Sequence, residues 1–375
     1  MSRMDADLQA ASRAGAILTI DLDAVRANYR LLSARAGGAV CAGVMKADAY
    51  GLGMAEVAPA LAREGCHVFF VAHLDEGIRL RTLVPQDSTV YVLHGAMPGA
   101  AQECVVHGLI PVLNDPAQVA EWQACARRAG RMLPAALQVD TGMSRMGLAP
   151  PDFERLCADP SLLDGIRLVL LMSHLACADE PEHPLNDVQR ERFAAARARF
   201  PNVPGSLANS SAIFLGPGYH HGLVRPGAAL YGINPHPGRA NPLAQPVSLH
   251  ARIVQLREVQ AGDIVGYGAR FVAEKPTRIA TISIGYADGW PRALTNRGHA
   301  WIDGVRVPVA GTVSMDSITL DVSAVDPARL APGVEVELLG PNQRVDDVAL
   351  DAGTIGYEVL TRLGGRFERR YLARD

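Results

Sequence analysis

At 375 residues, 49% of them apolar, the chain is long enough for about two domains, each with its own core. A formal net charge of −3 gives no basic field for nucleic acid or an anionic membrane surface, and no apolar run approaches membrane-spanning length. The six cysteines (Cys41, Cys66, Cys104, Cys125, Cys157 and Cys177) are widely spaced and form no C-x-x-C pair, which suits reduced thiols and neither a disulfide framework nor a zinc site.

Met1–Gly15 reads as a loose leader, charged throughout and without the apolar core of a signal peptide, so the cytoplasm is the expected compartment. Ile17–Asp21 reads as a strand, with Asp23 placed to cap a helix over Ala24–Ala36. Short apolar runs then alternate with helical patterns. The expected strands are Val40–Met45, Val68–Ala72, Thr89–Leu93, Ile110–Leu113, Ala136–Val139, Leu168–Ser173, Ser206–Ala208 and Gly222–Val224. Helices are expected between most of them: Met54–Glu64, Asp75–Leu83, Gly99–His107, Pro116–Gly130, Pro151–Cys157 and Asn186–Phe200. Eight such units predict a (β/α)8 barrel over 22–240, with catalytic groups at the C-terminal ends of its strands; an open doubly wound sheet fits the same periodicity. Asn234–Pro242 has the Pro/Gly content of a linker. Beyond it, alternating strands (Val247–Val259, Thr277–Ile284, Ala300–Val309, Ser317–Val322, Val334–Leu339) and few helical patterns predict a β-rich domain over 241–375, which the strand at 16–21 can join.

The first barrel unit carries the most chemistry. In Val44-Met45-Lys46-Ala47-Asp48-Ala49-Tyr50-Gly51-Leu52-Gly53 a buried run ends in a lysine, and a small-residue turn leads into a helix. Burial depresses a lysine's pKa, and its neutral amine can form a Schiff base. Tyr50 and the two glycines suit a phosphate, although a solvent-facing lysine before a turn fits the same pattern. Further polar groups follow later strands: Arg145 after strand five, His174 after strand six, Asn209 and Ser210 after strand seven, and Arg225 after strand eight. Singly, the histidine reads as a satisfied core residue and the arginines as surface ion-pair partners. Together with Lys46 at successive strand tips, they would share one rim.

VMKADAYGLG resembles the cofactor-lysine segment of the alanine racemases, which bind pyridoxal 5′-phosphate (PLP). That resemblance implies Lys46 as the Schiff-base lysine and Tyr50 as a phosphate ligand. VDTGMSRMG resembles the family's substrate-carboxylate segment, giving Arg145, and SHLA the segment of a supporting histidine, giving His174. ANSSA implies Asn209 and Ser210, with the Ser210 hydroxyl on the phosphate. VRPGAALYG implies Arg225 against the pyridine nitrogen and the N–H groups of Gly227 and Ala228 on the phosphate. An arginine there stays protonated, so the ring nitrogen must accept a hydrogen bond and remain unprotonated. Related decarboxylases carry an acid at that place. In the β-rich half, IGYADGW resembles the segment of a second catalytic base, Tyr286, and GTVSMD the segment whose methionine N–H holds substrate carboxylate, Met315. GYE resembles that of another phosphate-binding tyrosine, Tyr357.

The resemblance spans about Ile17 to Tyr371 and implies a homodimer with each site shared between subunits, no metal, and interconversion of L- and D-alanine for peptidoglycan or for alanine catabolism. It departs from the family at Gln138, where many relatives carry a carbamylated lysine that orients the arginine corresponding to Arg145. Three rivals frame the expectation. A PLP-binding carrier protein would lack the Tyr286 and Met315 segments, and a decarboxylase would need an acid at Arg225. A broader racemase, accepting serine for example, is the nearest alternative.

Overall fold

The computed structural model describes residues 13–373; most of the leader expected over Met1–Gly15 lies outside them. The chain divides into two compact units, one of residues 25–244 and one that combines residues up to 24 with those from 245 onward.

In the first unit, strands Gly43–Val44, Val68–Val71, Thr89–Val92, Ile110–Leu113, Leu133–Gln138, Ile166–Met172 and Gly205–Ser206 form one parallel sheet in chain order. Val40–Cys41, which precedes Gly43–Val44, pairs in parallel with Leu223–Val224. Hydrogen bonds from Gly222 N–H to Gly205 O (3.0 Å) and from Arg225 N–H to Ala208 O (2.9 Å) join that last strand to the seventh and close the ring. The strands are covered on both faces and therefore read as continuous apolar runs; Phe69, Phe70, Leu137 and Met172 are fully buried. Helices follow the early strands, but units seven and eight carry only short 3-10 turns at Ala212–Phe214, Pro217–Tyr219 and Ala228–Tyr231. The Pro/Gly-rich stretch is packed: Asn241 donates to Gly232 O (2.8 Å), and the Asn28 carboxamide both donates to Ala244 O (2.9 Å) and accepts from its N–H (2.8 Å).

In the second unit, the strand Ala16–Asp21 lies between Val247–Val259, antiparallel, and Glu368–Leu372, parallel. The long Val247–Val259 strand also pairs with Glu335–Leu339 and Thr277–Ile282, which pairs in turn with Ile318–Asp321. Three expectations are corrected here. The cap of the first helix (Leu22–Arg35) is Asp21, whose Oδ1 accepts from the N–H groups of Asp23 (2.9 Å) and Ala24 (3.0 Å); Asp23 lies inside the first turn. Ala300–Val309 is a hairpin, His299–Ile302 and Val305–Pro308, because Asp303-Gly304 takes positive φ (50° and 78°) and turns the chain. Two helices, Val345–Ala352 and Gly356–Arg362, precede the last strand in a half of the chain expected to be almost entirely β. No helix of the described residues is long and apolar enough to cross a membrane.

Candidate active site

Lys46 stands at the C-terminal tip of the first barrel strand. The four residues after it are left-handed, with φ of 53° to 56° at Ala47, Asp48, Ala49 and Tyr50. L-residues pay about 1–2 kcal/mol each for that conformation, so neighbours must hold it. Glu76 does so, accepting from the N–H groups of Ala47 (2.6 Å), Ala72 (2.8 Å) and His73 (3.0 Å). Asp48 in turn accepts from Met54 N–H (2.9 Å) at the next helix start and pairs with Arg79 (3.1 Å). The turn folds the Tyr50 ring back beside the strand tip, 4.8 Å from the Tyr231 ring and 5.9 Å from Lys46 Nζ.

Burial holds the Lys46 amine below the ordinary lysine range; Arg145 and Arg225 push it the same way, against an opposing pull from Glu76. Just past the neighbouring strand Leu223–Val224, the Arg225 guanidinium is buried and its contacts are neutral. It donates to the Ser206 hydroxyl, to Ser173 O (2.6 Å) and to Leu207 O (3.4 Å), and it lies 3.4 Å from His174 Nδ1. Burial lowers the pKa of Arg225 to about 10, which leaves it charged at neutral pH. His174 is driven down to about 3 by burial and then by Arg225, Arg145 and Lys46. Neutral His174 accepts from Arg225 at Nδ1, which places its proton on Nε2.

Beside Arg225, the Ser210 hydroxyl accepts from the N–H groups of Gly227 (2.9 Å) and Ala229 (3.1 Å). Gly227 admits no side chain, since a Cβ there would lie 2.3 Å from the Tyr50 hydroxyl. Tyr50, Ser210, Gly227 and Ala228 thus converge on one cradle at the start of a 3-10 turn, a donor-rich place for an anion. The Asn209 Oδ1 accepts from Ala212 N–H (3.0 Å) and so caps the following turn. Arg145 is exposed, on a loop braced by Asp140 Oδ1, which accepts from Gly142, Met143 and Ser144. Gln138 is buried beneath the same loop; its Cγ would be 3.1 Å from a Cβ on Gly147, a residue held at φ 104°.

Tyr286, Met315 and Tyr357 belong to the β-rich unit. Tyr286 N–H donates to Ser314 O and Ala287 N–H to Met315 O, both at 3.0 Å, so the two turns are tied together. Their approach is close enough that a Cβ on Gly285 would meet both carbonyl oxygens at 2.3 Å. Tyr286, Met315 and Tyr357 all keep part of their side chains exposed. Sequence patterns missed Glu76, Ser206, Ser173 and Asp48, which hold the strand-tip groups in place. The one visible signal for Glu76 is its place as the third residue of the helix Leu74–Arg81, from which a carboxylate reaches back to the N–H of the capping residue His73. His220 and His221 are spent on packing: His220 bonds Ile213 O (3.0 Å) and His221 lies edge-on to Phe193. Among the described residues no group of His, Cys, Asp and Glu is arranged to hold a metal ion.

The family model for the N-terminal domain of alanine racemase matches residues 20–235, and that for its C-terminal domain matches 246–371. A catabolic alanine racemase of Mesorhizobium japonicum is 57% identical over 359 residues, covering 96% of this chain and 94% of its own. An alanine racemase of Rhodospirillum rubrum is 52% identical, with 96% of each chain covered. A crystal structure of the Bartonella henselae alanine racemase with covalently bound pyridoxal phosphate superposes with a TM-score of 0.93 at 40% identity, covering 96% of this chain and all of that one. With both family domains matched and relatives of this identity along almost its whole length, the chain belongs to the alanine racemase family.

Proposed function

We propose that this protein interconverts L- and D-alanine with PLP as cofactor, using Lys46 and Tyr286 as its two bases. The observation that carries this reading is the barrel rim: a desolvated lysine, a donor-rich anion cradle and a buried arginine with neutral contacts share one end of one barrel. The donor set fits the cofactor. Tyr50, Ser210 and the N–H groups at Gly227 and Ala228 would take its phosphate, Lys46 its carbonyl carbon and Arg225 its ring nitrogen. When bound, PLP supplies an electron sink that makes the substrate Cα–H acidic.

Arg225 would donate a hydrogen bond to the ring nitrogen of the bound cofactor and would not protonate it, because its own proton is held far too tightly. That limits how much charge is withdrawn and disfavours side reactions, as suits a racemase and not a decarboxylase. Burial keeps the Lys46 amine ready to accept a proton at lower pH than a surface lysine would. Lys46 serves the D-enantiomer and Tyr286 the L-enantiomer from the opposite face: one removes the Cα proton and the other returns one, inverting the centre. Arg145 and the Met315 N–H hold the substrate carboxylate, and Tyr357 adds a hydroxyl near the phosphate. Gln138 can hydrogen-bond but brings no negative charge, so Arg145 is oriented without a carbamate. The working form is a cytoplasmic homodimer in which Lys46 and Tyr286 of one site come from different chains.

Lys46→Ala tests the foundation. It should abolish both cofactor retention after gel filtration and the appearance of D-alanine from L-alanine by chiral chromatography. A variant that keeps both would refute the assignment.

A further inference from the structure

The two turns that carry Tyr286 and Met315 are tied by more than their backbones. Arg366, on the segment just before the last strand, donates from Nε to Asp288 Oδ1 (2.6 Å) and from Nη1 to Asp316 Oδ1 (2.7 Å). Asp288 is two residues after Tyr286, and Asp316 directly follows Met315. The other oxygen of Asp288 accepts from Gly285 N–H (2.9 Å), and its main-chain carbonyl accepts from Gly364 N–H (3.0 Å). Asp288 is buried, whereas the side chains of Arg366 and Asp316 are half exposed. One guanidinium plane therefore bridges two carboxylates, each anchored in a different turn. A lysine offers a point charge and cannot hold two partners in a fixed plane.

We propose that Arg366 is a positioning residue: by bridging Asp288 and Asp316 it fixes the register between the Tyr286 hydroxyl and the Met315 N–H. The inference rests on the roles given above to Tyr286 and Met315. Its consequence is that proton delivery on the tyrosine side and grip on the substrate carboxylate are set by one clamp, and the lysine side is left alone. Asp316→Asn weakens the exposed end of the clamp while leaving the buried Asp288–Arg366 pair in place, so it separates positioning from folding. Arg366→Lys and Arg366→Gln remove the bridge more completely.

Two measurements test it. Amide hydrogen exchange on the cofactor-free protein should show about tenfold faster exchange at Tyr286 and Ala287 in Asp316→Asn and Arg366→Lys, with the strand Val247–Val259 unchanged. In the loaded enzyme the substrate isotope effects should split: the effect with L-[2-²H]alanine rises, because abstraction by the tyrosine becomes slower. With D-[2-²H]alanine it falls towards unity, because abstraction by the lysine no longer limits, and KM rises severalfold in both directions. Unchanged exchange at Tyr286 and Ala287, equal changes of the isotope effect in both directions, or loss of protection throughout the β-rich unit would each overturn the proposal. Tyr286→Phe is run alongside. If that variant turns over normally, the role of Tyr286 itself is wrong; if it is crippled while Asp316→Asn matches wild type on both measurements, the clamp alone is refuted.

Discussion

His174 shows how a single residue can serve the site at a cost to the fold. Its ordinary pKa of 6.5 is driven to about 3 in the folded chain, chiefly by burial and by Arg225. The unfolded chain therefore takes up a proton as pH falls through 6.5, and the folded chain does not until about 3. Stability is unaffected above that window and is lost progressively within it. One and a half pH units below the ordinary value the cost is about 2 kcal/mol. His174→Gln removes the titration, so its melting temperature should fall less steeply than that of wild type between pH 6.5 and 5. Parallel curves would mean that the imidazole is protonated in the fold, and that Arg225 faces a second cation. Glycine at 227 follows the same logic of crowding, since any side chain there would displace the Tyr50 hydroxyl.

At the scale of elements, the turn after Lys46 is the least comfortable piece of the barrel, and it makes a prediction of unusual sign. Ala47 is exposed with φ of 53°, so Ala47→Gly should stabilise the protein by about 1 kcal/mol instead of weakening it. Glu76→Gln should destabilise it by about 1–3 kcal/mol, since a carboxamide cannot accept from three N–H groups with the same charge. Urea unfolding of the three proteins checks both signs, and an Ala47→Gly that unfolds at lower urea contradicts the strain argument. Most of the barrel strands were legible because they are short, largely apolar runs, as in Val68–Val71 and Ile110–Leu113, and their ends place Lys46, His174 and Arg225 without further information; the seventh, Gly205–Ser206, has no such run. What was not legible depends on distance along the chain. Glu76 reaches back 29 residues to Ala47, and Arg366 reaches 78 residues to Asp288 and 50 to Asp316. No local pattern encodes such partners. The misplaced cap has a smaller cause: Asp21 and Asp23 are equally good capping residues, and only the position where the strand gives way to the helix chooses between them.

At the scale of the molecule, the two proposed bases lie in separate compact units, Lys46 in the barrel and Tyr286 in the β-rich one. The proposed dimer draws one base from each chain, and that arrangement has an arithmetical signature. Lys46→Ala and Tyr286→Phe should each be crippled as homodimers, because every site then lacks a base. In a mixed dimer one site collects both lesions and the other has neither. Random re-pairing of equal amounts makes about half of the dimers mixed, each with one intact site of two, so activity should return to about a quarter of wild type. If both bases came from the same chain, every site would keep a lesion and mixing would restore nothing. The measurement is alanine racemisation before and after joint unfolding and refolding of the two variants with PLP, with wild type carried through as the control for recovery. A control that recovers beside a mixture that stays inactive would refute the shared site, and with it the requirement that the enzyme work as a dimer.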